Sequence, residues 1–134
     1  MTWTEGRAII GTGSPFPPIL RNGGARKVDQ TNNSYIFPGT ALGAVTVKAR
    51  RISDGMFMAA ARSLADQSPA LTDPDDNLLP PATQLREAAI RIAIAVAEEA
   101  IKEGLAEDIP AQDLDVAIRA RMWNPVYRTY RRVD

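Results

Sequence analysis

Apolar and polar positions follow two different patterns on either side of Pro38. Before it, apolar runs are short and interrupted by glycine and proline. Arg7-Ala8-Ile9-Ile10-Gly11 is an apolar run ending in glycine, which predicts a buried strand. Pro18-Ile19-Leu20 and Arg26-Lys27-Val28 predict a weaker extended pair, joined by the turn signal Arg21-Asn22-Gly23-Gly24. Pro15, Pro17 and Pro18 exclude helix through this stretch. Ahead of it, Trp3-Thr4-Glu5 reads as the last turn of a helix that Gly6 terminates.

From Pro38 onward the spacing is helical. Pro38 suits a first helical position, and the helix it opens is expected to reach about Ala49. Gly39 and Gly43 share one face of it, and predict a close approach to another backbone. Ser53-Asp54 reads as the cap of a second helix, with Phe57, Ala60, Ala61 and Leu64 on its apolar face. The polar, proline-containing stretch from Gln67 to Pro81 reads as a surface loop. A long helix is expected from Thr83 to Glu103, ended by Gly104. A last one is expected from Pro110 to Met122, carrying Leu114, Ala117, Ile118 and Met122 at helical spacing. From Trp123 to Asp134 no periodicity is evident. The division is thus 1–52, with strand, loops and a helix entry, and 53–134, with helices and a tail.

Two features ask for more structure than these elements supply. A single strand leaves backbone donors and acceptors unpaired on both sides. The long helix is apolar nearly all round from Ala88 to Ala97, interrupted by Arg91. A surface helix needs one apolar stripe, so this one should be covered on two sides. The expectation is that structure outside this chain provides part of the cover.

Composition narrows the chemistry. The chain has 134 residues, 45% hydrophobic and 24% charged, which suits one globular domain. Its formal net charge is zero, so no general attraction to nucleic acid or anionic membrane is expected. It contains no Cys and no His. Disulfides, thiolate nucleophiles, the usual general base and the commonest metal ligands are therefore excluded from these residues. The start, Met1-Thr2-Trp3-Thr4-Glu5-Gly6, lacks the basic and apolar regions of a signal peptide. No apolar run approaches the roughly 20 residues that span a bilayer. The expectation is a soluble cytoplasmic protein with no membrane and no nucleic-acid partner.

The candidate chemistry lies in Gln30-Thr31-Asn32-Asn33-Ser34-Tyr35-Ile36-Phe37-Pro38-Gly39. Two adjacent asparagines at a helix entrance can read a carboxylate or carboxamide without bringing charge. Alone, the pair also fits an ordinary turn, because Asn satisfies local backbone groups. A second tight loop, Gly11-Thr12-Gly13-Ser14, invites comparison with a dinucleotide fingerprint. That match fails, since Phe16 stands where the third glycine belongs and Pro15 blocks the required helix. The loop reads better as a strand end turning sharply over a ligand.

Other motifs read as structure. Asp73-Pro74-Asp75-Asp76-Asn77 lacks the glycine and glutamate of a calcium loop. Arg50-Arg51 reads as a helix C-terminal pair. Tyr127, Arg128, Tyr130, Arg131 and Arg132 read as a packing or subunit-contact tail rather than a nucleic-acid patch.

Taken together, GTGSPFPP, QTNNSYIFPGTALG, ARRISDGMFMAAA and WNPVYRTYRR resemble the C-terminal end of the malic enzyme family in order and spacing. The resemblance runs over essentially the whole chain and matches about the last quarter of such an enzyme. It implies an α/β fold: the C-terminal portion of a Rossmann-like NAD(P)-binding domain, mostly helical with one or a few short strands. It places Asn32 and Asn33 at the substrate, and Gly11, Gly13, Ser14 and Asn32 beside the cofactor. It implies NAD or NADP and a Mg or Mn ion, with malate and pyruvate as small-molecule partners. A homo-oligomer and the rest of the enzyme chain or a partner subunit are implied with them. The tyrosine acid, the lysine base, the substrate arginine, the metal ligands and the glycine-rich cofactor turn fall outside the matched region. No catalytic or metal-ligating residue is therefore assigned here, and no activity is expected from the chain alone. Malolactic enzyme shares the same resemblance. A non-catalytic helical interaction protein is the reading of a different class. Glycine at position 11 and threonine at position 31 depart mildly from the family pattern, which has Ala or Ser and a smaller residue there.

Overall fold

The computed structural model describes residues 2–5, 7–21, 24–127 and 129–130. Helices α1 (Phe37–Thr46), α2 (Asp54–Ala65), α3 (Leu85–Lys102) and α4 (Ala111–Arg121) form its body. Four short strands precede them: β1 (Gly11–Thr12), β2 (Ile19–Arg21), β3 (Gly24–Arg26) and β4 (Asp29–Gln30).

The apolar helix α3 is the axis of the fold. Ala88, Ala89, Ile90, Ile92, Ala93, Val96, Ala97 and Ala100 are all buried in it. Helices α1, α2 and α4 pack around it. Val47, Met56, Ala60, Leu114 and Ile118 close the core from those three sides. The cover expected from outside the chain is thus provided from within, and Arg91 occupies the exposed remainder. The glycines of α1 act as anticipated. A Cβ on Gly39 would lie 2.7 Å from Ile92 Cβ and 2.8 Å from the Ala89 carbonyl oxygen. One on Gly43 would press on the backbone of Ala93.

Local signals set the helix ends. Ser53 Oγ accepts from Met56 N at 3.1 Å, capping α2. Gly104, at φ +65°, ends α3, and Leu105 N donates to Ala100 O at 2.9 Å. Helix α1 stops at Thr46, three residues before the expected end. Lys48 takes a left-handed φ of +52° there, and Ala49 N reaches back to Ala44 O at 2.8 Å. The chain then runs beside the exit of α3. Arg50 N donates to Leu105 O at 3.0 Å, and its guanidinium donates to Gly104 O at 2.6 Å. Arg50 therefore caps α3, not the helix preceding it in sequence.

Two expectations about faces are corrected. Phe57 and Ala61 are exposed, and α2 is buried through Met56 and Ala60. The helix is turned about one residue from the expected stripe, which brings the longer, flexible Met56 against α3. The run from Arg7 to Gly11 is not a buried strand. The strand covers just Gly11 and Thr12, with one further backbone bond at the Ile10 carbonyl, and Ile9 is 64% exposed. Its partner, β4, was not anticipated. The two strands run parallel in the register Gly11↔Asp29 and Thr12↔Gln30. The weaker extended pair forms as an antiparallel hairpin, with Ile19 opposite Arg26 and Arg21 opposite Gly24. The intervening Asn22 and Gly23 lie outside the described residues, as do Gly6, Arg128, Arg131 and Arg132. Thr2–Thr4 forms one 3-10 turn rather than an α-helical end.

Candidate functional site

Parallel pairing of β1 with β4 brings the two candidate segments to the same edge. Both strands run the same way, so both exits open at their carboxyl ends. One exit leads into Gly13-Ser14 and the other into Thr31-Asn32-Asn33. The ladder extends one step past the strands, with Thr31 N donating to Thr12 O at 2.8 Å. Thr12 Oγ1 donates to Ser14 O at 2.7 Å, which folds the first turn back on its own strand. In open α/β sheets this edge is where ligands bind.

The asparagines start a 3-10 helix, Asn33–Tyr35, that feeds α1. Asn32 Oδ1 accepts from Ser34 N at 2.9 Å. The turn role and the ligand role are therefore compatible. The cap consumes the carbonyl end of the Asn32 amide and leaves its Nδ2 protons as donors. Asn33 is exposed and has no side-chain partner among the described residues. Gly11, Gly13 and Ser14 are exposed as well. Space at the two glycines differs. A Cβ on Gly13 would meet nothing within 4 Å, whereas one on Gly11 would lie 2.6 Å from Thr31 Cγ2. The Thr31 methyl thus stands where a side chain at residue 11 would go.

Behind the turns lies a buried carboxylate, Asp29, that no local pattern singles out. Asp29 is 6% exposed. It accepts from Asn77 Nδ2 at 2.8 Å, Leu78 N at 3.0 Å and Leu79 N at 3.4 Å. Lys27 pairs with Asp76 at 2.5 Å, and the Tyr35 hydroxyl donates to Pro80 O at 2.8 Å. The stretch from Gln67 to Pro81 is therefore tied along β4 and the asparagine turn, and Pro80 is fully buried. Burial, reinforced by the charge of Asp29, holds the Tyr35 phenol above its ordinary pKa. Tyr35 is thus a neutral donor to Pro80 at physiological pH.

Among the described residues no group of three or more Asp or Glu side chains is placed to hold an ion. No helix among the described residues is long and apolar enough to cross a membrane.

Two parallel strand ends carrying polar turns, backed by a helical layer, define the closing part of an α/β nucleotide-binding domain. Residues 1–101 match the model of the malic enzyme NAD-binding domain. The NAD-dependent malic enzyme of Pseudomonas syringae pv. tomato is 48% identical over 132 residues, 98% of this chain and 23% of that protein. NAD-dependent malic enzyme 1 of Vibrio vulnificus is 45% identical over 130 residues, with 97% and 23% covered. Among solved structures, Entamoeba histolytica malic enzyme aligns with a TM-score of 0.68 and 32% identity, covering 87% of this chain and 22% of that one. Pyrococcus horikoshii malic enzyme aligns at 0.63 and 31%, covering 84% and 23%. The chain belongs to the malic enzyme NAD-binding domain family, and spans about a quarter of the length of the relatives it matches.

Proposed function

We propose that this chain forms one wall of a malate and NAD site in an NAD-dependent, malate-decarboxylating enzyme. The observation that carries the reading is the shared carboxyl-end edge of β1 and β4, which sets Gly13-Ser14 beside Asn32-Asn33. Asn32 Nδ2 and Asn33 Nδ2 donate to the acid's carboxylate and hold it so that its C2 hydrogen faces the cofactor. Each neutral amide bonded to a charged carboxylate contributes roughly 1.5–3 kcal/mol. Gly11, Gly13, Ser14 and Asn32 line the cofactor side, where an open Gly13 lets the ligand approach the backbone. NAD supplies the hydride acceptor; NADP would use the same wall. A Mg or Mn ion would polarise the ketone, and its ligands would come from outside these residues.

The rest of the enzyme completes the site, in a homo-oligomer in the cytoplasm. The exposed strip of Trp123, Val126, Tyr127 and Tyr130 supports such an association. The chain by itself is then expected to produce no NADH from malate and NAD with manganese. Within the complete enzyme, Asn33→Ala is expected to raise KM for malate by at least tenfold, the equivalent of ~1.4 kcal/mol. Turnover by the chain alone, or an unchanged KM in that variant, overturns the reading. Lactate formed without net NADH production by the complete enzyme would identify malolactic chemistry instead.

A further inference from the structure

We propose that Asp29 is a positioning residue that fixes the register of β4 and thereby the placement of Asn32 and Asn33. This rests on the malate reading above only for its kinetic consequence. The β1–β4 ladder has two residues per strand, far too short to hold a register by itself. A slip of one residue would exchange the faces of Asp29 and Gln30 and move the Asn32-Asn33 turn one residue along the edge. The buried carboxylate opposes that slip. It meets three N–H donors on Asn77, Leu78 and Leu79, which no neighbouring residue of β4 can satisfy in its place. Val28 has no side-chain acceptor, and Gln30 brings a single neutral carbonyl oxygen where Asp29 brings two charged ones. A slipped strand would also bury a carboxylate elsewhere or strand these donors, and both are unfavourable.

The clamp reaches the asparagines through backbone on both sides. Asp29 N donates to Ile10 O at 3.0 Å, and Thr31 N donates to Thr12 O at 2.8 Å. Beyond the turn, Tyr35 fastens the same segment to Pro80. The Asn32-Asn33 turn is thus held at both ends by the 77–80 segment, and by the strand that carries Gly13-Ser14.

Asp29→Asn tests this, because it keeps the shape but turns one acceptor into a donor facing an N–H. In the 134-residue chain, amide hydrogen exchange is expected to accelerate at least tenfold at Leu78, Thr31 and Ser34, with Ile92 and Val96 unchanged. Release of Leu78 with Thr31 and Ser34 still protected would overturn the proposal. In the complete enzyme, Asp29→Asn is expected to raise KM for malate about tenfold. A smaller folded fraction would lower kcat and leave KM alone. The exchanged pair Asp29→Asn/Asn77→Asp restores a side-chain hydrogen bond and should recover part of the loss. Should Asp29→Asn fail to fold, Asn77→Ala removes one donor and must give the same exchange pattern at lower amplitude. The two readings fail separately: Asn33→Ala with unchanged KM removes the malate assignment, whereas the exchange pattern alone decides the clamp.

Discussion

Gly43→Ala probes the contact on which the helical body is built. The added methyl would fall within the contact distance of the Ala93 carbonyl oxygen, and 3.1 Å from Ala93 C and Cα. All three atoms are backbone in the middle of α3, so no side chain can swing aside. Helix α1 would have to move off α3 by about 1 Å, a gap that forfeits a quarter to a half of each dispersion contact across the interface. Overpacking of this kind costs about 1–3 kcal/mol, and a fixed backbone neighbour puts this case near the upper end. Alanine returns about 1 kcal/mol through its better helix propensity. The net loss is then ~2 kcal/mol. For 134 residues at about 2.1 cal/mol/K each, the unfolding entropy near the midpoint is ~280 cal/mol/K. Each kcal/mol therefore moves Tm by about 3.6 °C, and the variant should melt ~7 °C lower. A thermal melt followed by circular dichroism at 222 nm measures this, with Gly13→Ala as a control that meets open space. An unchanged or higher Tm for Gly43→Ala would refute close packing of α1 on α3.

Gly11→Ala is expected to destabilise the β1–β4 ladder, read as faster exchange of the Thr31 amide, because its Cβ would meet Thr31 Cγ2. Thr31→Ser removes that methyl, so the double variant should recover protection; failure to recover would contradict that contact. Lys48 sits at φ +52° and its ion pair with Glu107 is exposed, so Lys48→Gly should be neutral or stabilising. Lys48→Val should lose ~1–2 kcal/mol in urea denaturation, since a β-branched side chain fits the left-handed region poorly. Acid should weaken the fold. The hydrogen bond from Lys27 holds Asp76 below its ordinary pKa, and that from Arg119 does the same for Glu87. Depressed carboxylate pKa values give stability that is present above the unfolded values and lost as pH falls through the folded ones. Tm should thus decline below about pH 4.5, with a smaller decline in Arg119→Ala, which a series of melts would show.

The helical body was largely legible because its signals are local. Ser53 caps α2, Gly104 ends α3, and Gly39 and Gly43 mark the close face of α1, all as their residue types require. What escaped depends on contacts distant in sequence. The stripe of α2 shifted from Phe57 to Met56 because the position of α3 decides which face is inside. Strand β4 is two polar residues long and carries no apolar period. Asp29 and Asn77 are 48 residues apart, in stretches that read as loop, so nothing local joins them. The candidate site itself was half legible. Asn32-Asn33 and Gly11-Thr12-Gly13-Ser14 stood out as turns, but their adjacency required the parallel pairing of β1 with β4. The apolar breadth of α3 signalled cover on several sides, but the source was misread: α1, α2 and α4 of this chain pack on it, where structure outside the chain was expected.

A structure of the complete enzyme with malate and NAD bound offers the most direct test of the central claim. The amide nitrogens of Asn32 and Asn33 are expected within about 3.2 Å of a bound carboxylate or carboxamide oxygen, with Gly13 and Ser14 against the cofactor. Both asparagine side chains facing solvent, remote from either ligand, would contradict it.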